Sequence, residues 1–187
     1  MFPASAACPR WERFLEEIFD GDGDLIRFVH RAVGYSLTGH TREQVFFVLY
    51  GTGHNGKGRF VRQIKLLSGD AAATAPVGAF LVDRSAGTGN TPALASLAGA
   101  RVVIAGEPDE GVRLSESTIK SLTGEDDIAA CRKYEHPFSF SPQFKIWLHA
   151  NHKPEIRGTD EGIWRRPRLV PFTVRFDGDR DDQQLDD

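Results

Sequence analysis

Few junctions limit a chain's choice of fold as much as the one between Tyr50 and Gly51. Val45-Phe46-Phe47-Val48-Leu49-Tyr50 is an apolar, β-branched and aromatic run, and Gly51-Thr52-Gly53-His54-Asn55-Gly56-Lys57-Gly58 follows at once. The first stretch predicts a buried strand, and Arg59 to Leu67 predicts a helix. Strand, G-x-x-x-x-G-K and helix make the layout of a phosphate-binding loop. Glycines let backbone N–H groups turn inward around phosphate oxygens, and the helix N-terminus adds its positive dipole end. Lys57 is then expected to reach the β- and γ-phosphates of a nucleotide. Ser or Thr usually follows that lysine and helps hold Mg²⁺ through its hydroxyl, whereas here the position is Gly58.

Strands and helices alternate along the rest of the chain. Trp11, Phe14, Leu15, Ile18 and Phe19 recur at helical spacing and predict an amphipathic helix. Asp20-Gly21-Asp22-Gly23-Asp24 imitates the start of a calcium loop, but Leu25 holds its sixth position and Arg31 its twelfth. Calcium loops need glycine and glutamate there, so the segment reads as a turn, with Asp24 capping the next helix. Leu25, Phe28, Val29, Ala32 and Val33 give that helix one apolar face, and Gly34 to Thr41 reads as a connection. Beyond the loop helix, Phe80-Leu81-Val82 reads as a short strand, Asp83 to Asn90 as loop, and Ala93 to Ala98 as helix.

Arg101 to Ala105 and Phe144 to His149 predict two more buried strands, and Ser115 opens a helix between them. Ile128 to Arg132 and Pro137 to Phe140 predict a hairpin with Lys133-Tyr134-Glu135-His136 at its tip. A last strand is expected near Leu169 to Phe172. Such alternation predicts an α/β fold with a mostly parallel central sheet flanked by helices. Residues 1–40 form a short N-terminal helical segment in this reading, 41–176 the core, and 177–187 an acidic, disordered tail.

Composition narrows the class. At 187 residues the chain can build one domain with a full core. No apolar run approaches the ~20 residues of a membrane span. Residues Met1 to Arg10 lack a basic segment followed by an apolar one, so no secretory signal is expected. Cys8 and Cys131 stand too far apart to suggest a metal site or disulfide framework, and a reducing, cytoplasmic setting is the default. The net charge of −3 conceals an uneven distribution. From Asp177 onward there are six Asp and one Arg, which leaves a mildly basic body.

In parallel α/β sheets the active groups gather at the carboxyl ends of strands. Three places qualify: the glycine loop, Glu107 after the next apolar strand, and Asn151 after a third. An acid at Glu107 can orient water for attack on a γ-phosphate or hold a Mg²⁺-bound water. Asp109 and Glu110 follow closely, and either could share that work, Asp109 through a metal-bound water. The amide of Asn151 can position the same water. Arg165 and Arg166 adjoin Trp164, with no acid before Arg175. They read equally as a basic solvated face or as arginines that neutralise charge on a transferring phosphate, supplied by a neighbouring subunit. Lys133, Tyr134 and His136 at the hairpin tip, with Arg132 and Lys120 nearby in sequence, are candidates for contact with a nucleic-acid backbone and stacked bases. No Ser/His/Asp or Cys/His arrangement is legible, and the six histidines show no metal spacing.

Five ordered segments resemble the helicase part of phage and plasmid primase–helicases, within superfamily 3 of the AAA+ ATPases. They are G-T-G-H-N-G-K at Gly51 to Lys57, R-V-V-I-A-G-E at Arg101 to Glu107, and I-K-S-L-T-G-E-D-D-I at Ile119 to Ile128. The others are F-K-I-W-L-H-A-N-H-K-P at Phe144 to Pro154 and G-T-D-E-G-I-W-R-R at Gly158 to Arg166. The resemblance implies an ATP- and Mg²⁺-dependent motor that moves along single-stranded or forked DNA during replication. It also implies a homo-oligomer, commonly a hexamer, with primase or other replication proteins as partners in a bacterial host cytoplasm. By matching positions, Lys57 is the Walker A lysine, Glu107 the Walker B acid and Asn151 the sensor. Arg165 or Arg166 is the arginine finger, and the region from Lys120 to Phe140 carries a DNA-contacting hairpin. Gly58 departs from the pattern and leaves Mg²⁺ to water or to an acid alone. That departure keeps a second expectation open, a nucleotide-binding module that assembles on a replication partner without hydrolysis.

Overall fold

The computed structural model describes residues 7–82, 91–106 and 113–177. Two helices come first. Helix α1 (Pro9–Ile18) starts with proline in its first turn, where the missing N–H costs nothing, and buries Phe14, Leu15 and Ile18. Helix α2 (Gly23–Leu37) is capped by Asp22, whose Oδ1 accepts from the N–H groups of Asp24 and Leu25 at 3.0 Å each. The cap is therefore Asp22 and not Asp24, because the helix begins one residue before Asp24. The helix also runs through Gly34 to Leu37, which sequence alone assigned to a connection. Ser36 explains the extension: its hydroxyl donates to Ala32 O at 2.7 Å and accepts from Trp147 Nε1 at 3.0 Å, so the last turn is fixed to the sheet.

The central sheet has five strands in the order β2-β3-β6-β1-β7, all parallel. They are β1 (Phe46–Tyr50), β2 (Ala72–Ala75), β3 (Val102–Gly106), β6 (Lys145–Ala150) and β7 (Pro167–Pro171). Side chains alternate between faces as the strand period requires. Phe47, Leu49, Val102, Ile104 and Trp147 point toward α1, α2 and the loop helix α3 (Lys57–Ser68). Phe46, Val48, Val103, Ala105, Ile146 and Leu148 form the opposite core with Leu97, Ile119, Leu122 and Ile163. Both faces are covered, which is why the strands read as unbroken apolar runs and not as alternating ones. At the centre, Phe47 and Trp147 stack with ring centroids 4.3 Å apart, worth about 1 kcal/mol beyond the area they bury.

The second face carries α4 (Thr91–Ala95), α5 (Glu116–Thr123) and α6 (Glu161–Trp164). Between α5 and β6 lies the expected antiparallel hairpin, β4 (Ile128–Ala130) with β5 (Phe138–Phe140). One expectation is corrected here. Val77–Phe80 is a 3-10 turn, and Leu81 makes only an isolated bridge to Leu114 where a strand was expected. The edge strand β2 lies earlier, in Ala-Ala-Thr-Ala, whose small residues carry no strand signal.

Strand β7 forms the other edge of the sheet. Arg166 O accepts from Phe46 N, and Phe172 N donates to Tyr50 O, so the even-numbered residues bond inward to β1. Pro167, Leu169 and Pro171 are the outward positions. Two of those three have no N–H to present, which blunts the edge. None of the described helices is long and apolar enough to cross a membrane.

Candidate functional site

Glycines around Lys57 divide into two kinds. A Cβ on Gly51 would lie 2.2 Å from Phe172 O, and one on Gly56 would lie 2.6 Å from Ile18 Cγ2. Gly56 also has φ +78°, a left-handed conformation that glycine adopts without strain. These two glycines are demanded by packing: β7's continuation lies against the start of the loop, and α1 lies under its end. Gly53 and Gly58 differ, since nothing lies within 4 Å of a Cβ built there. On that open side an anion can approach bare backbone.

The loop is braced from within. Asn55, almost fully buried, donates from Nδ2 to Thr52 O at 2.6 Å and to Phe172 O at 3.2 Å. Its Oδ1 accepts from Lys57 N at 3.3 Å. His54 holds φ +58°, and its carbonyl accepts from Phe176 N at 2.6 Å. Asn55 therefore shapes the cradle instead of presenting its side chain to a ligand, while Thr52, Gly53 and His54 are exposed.

Lys57 is 5% exposed. Its Nζ donates to Gly51 O at 2.6 Å, to Ala150 O at 2.8 Å and to Asn151 Oδ1 at 3.3 Å. The ammonium thus joins the carboxyl ends of β1 and β6, with the exposed Asn151 beside it. Glu107, Asp109 and Glu110 lie outside the described residues. Their strand is described up to Gly106, which faces His149 in register. A Cβ at Gly106 would come within 2.8 Å of the His149 ring, so glycine is what lets the imidazole lie over the end of β3. Among the described residues no group of three His, Cys, Asp or Glu side chains could hold a metal ion.

The arginine pair lies elsewhere. Strand β7 pairs Pro167 with Phe46, the first residue of β1, whereas the glycine loop follows the last. Arg165 and Arg166 therefore sit at the amino end of the sheet, about 13 Å of strand away from their own lysine. The two side chains differ sharply. Arg166 is buried, donating Nε to Gly162 O at 2.8 Å, and NH1 to Thr123 Oγ1 at 2.8 Å and Gln44 O at 3.4 Å. Burial, with Arg165 beside it, holds its pKa below the usual arginine range. Arg165 is exposed and bonds through NH2 to Gln44 Oε1. Gln44 has φ +50°, costly for a residue with a Cβ, and that turn lets its carbonyl and its amide serve both arginines. Sequence reading missed Gln44, because nothing in the letters announces a left-handed glutamine.

Lys120 does not join the hairpin-tip group. It lies on α5, and its ammonium is held by both carboxylate oxygens of Asp160 at 2.9 and 2.8 Å, which draws the Asp160 pKa down. At the tip, Tyr134 is 93% exposed at φ +67°, with the Lys133 ammonium 4.9 Å from its ring centre. Arg132 covers the Phe138 ring at 5.1 Å, and His136 is exposed. Lys153 was also missed: it follows Asn151 by two residues and lies 4.6 Å over the Tyr50 ring, at the mouth of the glycine loop.

Several known proteins are similar to this chain in sequence or in fold. "Putative helicase L207/L206" of Acanthamoeba polyphaga mimivirus is 32% identical over 163 residues, 87% of this chain and 17% of its own length. "Putative helicase 022R" of Frog virus 3 is 30% identical over 168 residues, again 87% of this chain and 17% of its own. The chain thus spans about a sixth of the length of the relatives it matches. Among solved structures, the apo C-terminal region of NrS-1 superposes with a TM-score of 0.67 at 13% identity, covering 98% of this chain and 42% of that one. JCV helicase follows with 0.52 at 12% identity, over 90% of this chain and 46% of its own. The fold is the α/β arrangement found in those solved domains. Residues 49–166, from the end of β1 through the arginine pair, match the family of unknown function DUF5906, and the chain belongs to that family.

Proposed function

We propose that this domain is the motor of a DNA helicase, binding ATP with Mg²⁺ in the loop 51–58 and hydrolysing it to drive movement along DNA. The observation that carries the reading is the separation of charge along the sheet. A buried lysine closes the glycine loop at the carboxyl end, while an exposed arginine stands at the amino end, beyond reach of its own loop. Such a chain has half of two sites, which supports ring assembly in which Arg165 meets the nucleotide of the next copy.

In this reading, backbone N–H groups of residues 53–58 grip the β-phosphate, helped by the dipole of α3. Lys57 leaves its carbonyl partners for the phosphates and thereby reports occupancy to the ends of β1 and β6. Glu107 orients the attacking water and takes its proton, and the Asn151 amide fixes that water's position. Glu107 and Asp109 would hold Mg²⁺ through water, and the ion would supply charge neutralisation for the phosphates. Arg165 of the neighbour stabilises the charge that develops on the transferred group. The hairpin tip, with Arg132, Lys133, Tyr134 and His136, contacts single-stranded or forked DNA by backbone neutralisation and stacking. The viral relatives named as helicases support this reading, as does the likeness to the family described from the sequence.

Phosphate release with and without single-stranded DNA tests it. Turnover is expected in the wild type and not in Lys57→Ala; silence in both rejects the enzyme. Solution mass with nucleotide, Mg²⁺ and DNA is expected to rise to that of a ring, in line with the hexamers of similar motors. A second reading, a nucleotide-binding part of a replication complex without hydrolysis, is favoured by Gly58 alone. Gly58→Ser separates the two, since a large gain in turnover would assign a metal-holding defect to the natural residue.

A further inference from the structure

Glu116, Lys120 and Thr123 occupy positions i, i+4 and i+7 of α5, one stripe of the helix. Each bonds a different point of the segment that carries Arg165. Glu116 Oε1 accepts from Gly158 N at 2.6 Å, and Lys120 holds Asp160. Thr123 Oγ1 accepts from Arg166 while donating to Ile119 O at 2.6 Å. Asp160 is in turn the cap of α6, its Oδ1 accepting from Ile163 N at 3.2 Å. The contact is close as well as polar: a Cβ on Gly158 would fall 2.0 Å from Glu116 Oε2.

The other side of α5 faces the apolar core. Ile119 and Leu122 share a buried cluster with Ile163 of α6 and Ile128, the first residue of the hairpin. Only Gly124 to Asp127 separate α5 from β4, and a Cβ on Gly124 would lie 2.9 Å from Lys120 O, which keeps that link tight. One short helix therefore grips the arginine-bearing segment with its polar stripe and the hairpin base with its apolar face.

We propose that Glu116, Lys120 and Thr123 are positioning residues that fix Arg165 and couple it to the hairpin, so that DNA held at the tip sets the arginine's order. This rests on the motor reading only in taking the hairpin as the DNA contact. None of the three needs to touch DNA or nucleotide. A purely structural α5 would lower stability without linking the two features.

Hydrogen exchange on the full chain, with a thymidine oligonucleotide as probe, tests the coupling without requiring turnover. In the wild type the oligonucleotide is expected to slow exchange across residues 158–166 by roughly threefold or more, the scale of modest coupling between sites. Lys120→Met is expected to bind the oligonucleotide as before yet lose that slowing, and Lys120→Arg to restore it. Asp160→Asn, which keeps an oxygen for the helix cap, is expected to behave as Lys120→Met does. Binding without slowing in the wild type, or equal slowing in Lys120→Met, overturns the coupling and leaves the nucleotide site untouched. Absence of any oligonucleotide binding overturns the hairpin assignment and the coupling with it, whereas phosphate release judges the motor separately.

Discussion

Strand β6 has a buried lysine near each of its ends. At the carboxyl end Lys57 donates to the carbonyls of Gly51 and Ala150; at the amino end Lys145 donates to Thr38 O at 2.6 Å and His40 O at 2.9 Å. Lys57 is 5% exposed and Lys145 1%. By burial and bonding alone they are alike. Their neighbours separate them: Lys57 adjoins open glycine backbone and the exposed Asn151, while Lys145 lies 4.5 Å over the Tyr35 ring and closes off the end of α2. One ammonium has somewhere else to go and the other has not. The role proposed for Lys57 rests on that difference in surroundings and not on burial.

The largest effects should fall on the arginines. Arg165→Ala is expected to lower DNA-stimulated turnover of the assembled protein by about 10³-fold while barely moving its thermal midpoint. Mixing it with a Lys57→Ala partner should restore part of the rate, which a finger acting within one chain would not allow. Lys57→Met is expected to cost turnover about 10²-fold or more, together with about 1–3 kcal/mol of stability through the orphaned Gly51 and Ala150 carbonyls. Denaturant titration should show a loss of stability without a loss of turnover for the cations away from the loop. Arg166→Met is expected to lose about 3 kcal/mol, since Thr123, Gly162 and Gln44 all lose their partner. Lys145→Met should lose about 1–3 kcal/mol through the orphaned Thr38 and His40 carbonyls, with turnover per folded molecule intact. If Lys145→Met silenced turnover instead, the distinction between the two ends would fail.

Titration sharpens the contrast further. Burial, then the nearby Arg101, lowers the Lys145 pKa from 10.5 to about 8. Between those values the unfolded chain holds the extra proton, so wild-type stability is expected to rise with pH there, by at most about 1.4 kcal/mol per unit. Burial raises the pKa of Tyr35, which works the other way above about pH 10, where the folded ring keeps a proton that the unfolded one loses. The rise from pH 8 should vanish in Lys145→Met. Smallest of all, Gly58→Ser is expected to add about 0.5 kcal/mol, because the position is helical and has open space for a side chain. A loss in its melting curve would contradict that open space.

The sequence made the three central strands legible, since β1, β3 and β6 are buried on both faces and spell apolar runs. It also placed the glycine loop, the hairpin and the paired arginines in order. Strand β2 stayed hidden because Ala72–Ala75 owes its extended form to pairing with β3 and not to its own side chains. The end of α2 was lost because Ser36 works through Trp147, a residue distant in sequence. The difference between Arg165 and Arg166 was illegible for a similar reason: adjacent identical letters become one exposed and one buried side chain only once Gln44 and Thr123 are brought to them. Tertiary partners, and not local preference, decided each of these points.

The two outward prolines of β7 bear on how copies of this chain can meet. Main-chain pairing across that side would have to skip the positions where the donor is missing, so no continuous sheet can grow from one copy into the next there. Any neighbour arriving at β7 must be recognised by protruding groups such as Leu169, and can part again without a ladder to unzip. In the proposed ring, where subunits would shift against one another with every turnover, a seam made of side chains is the kind that can slide.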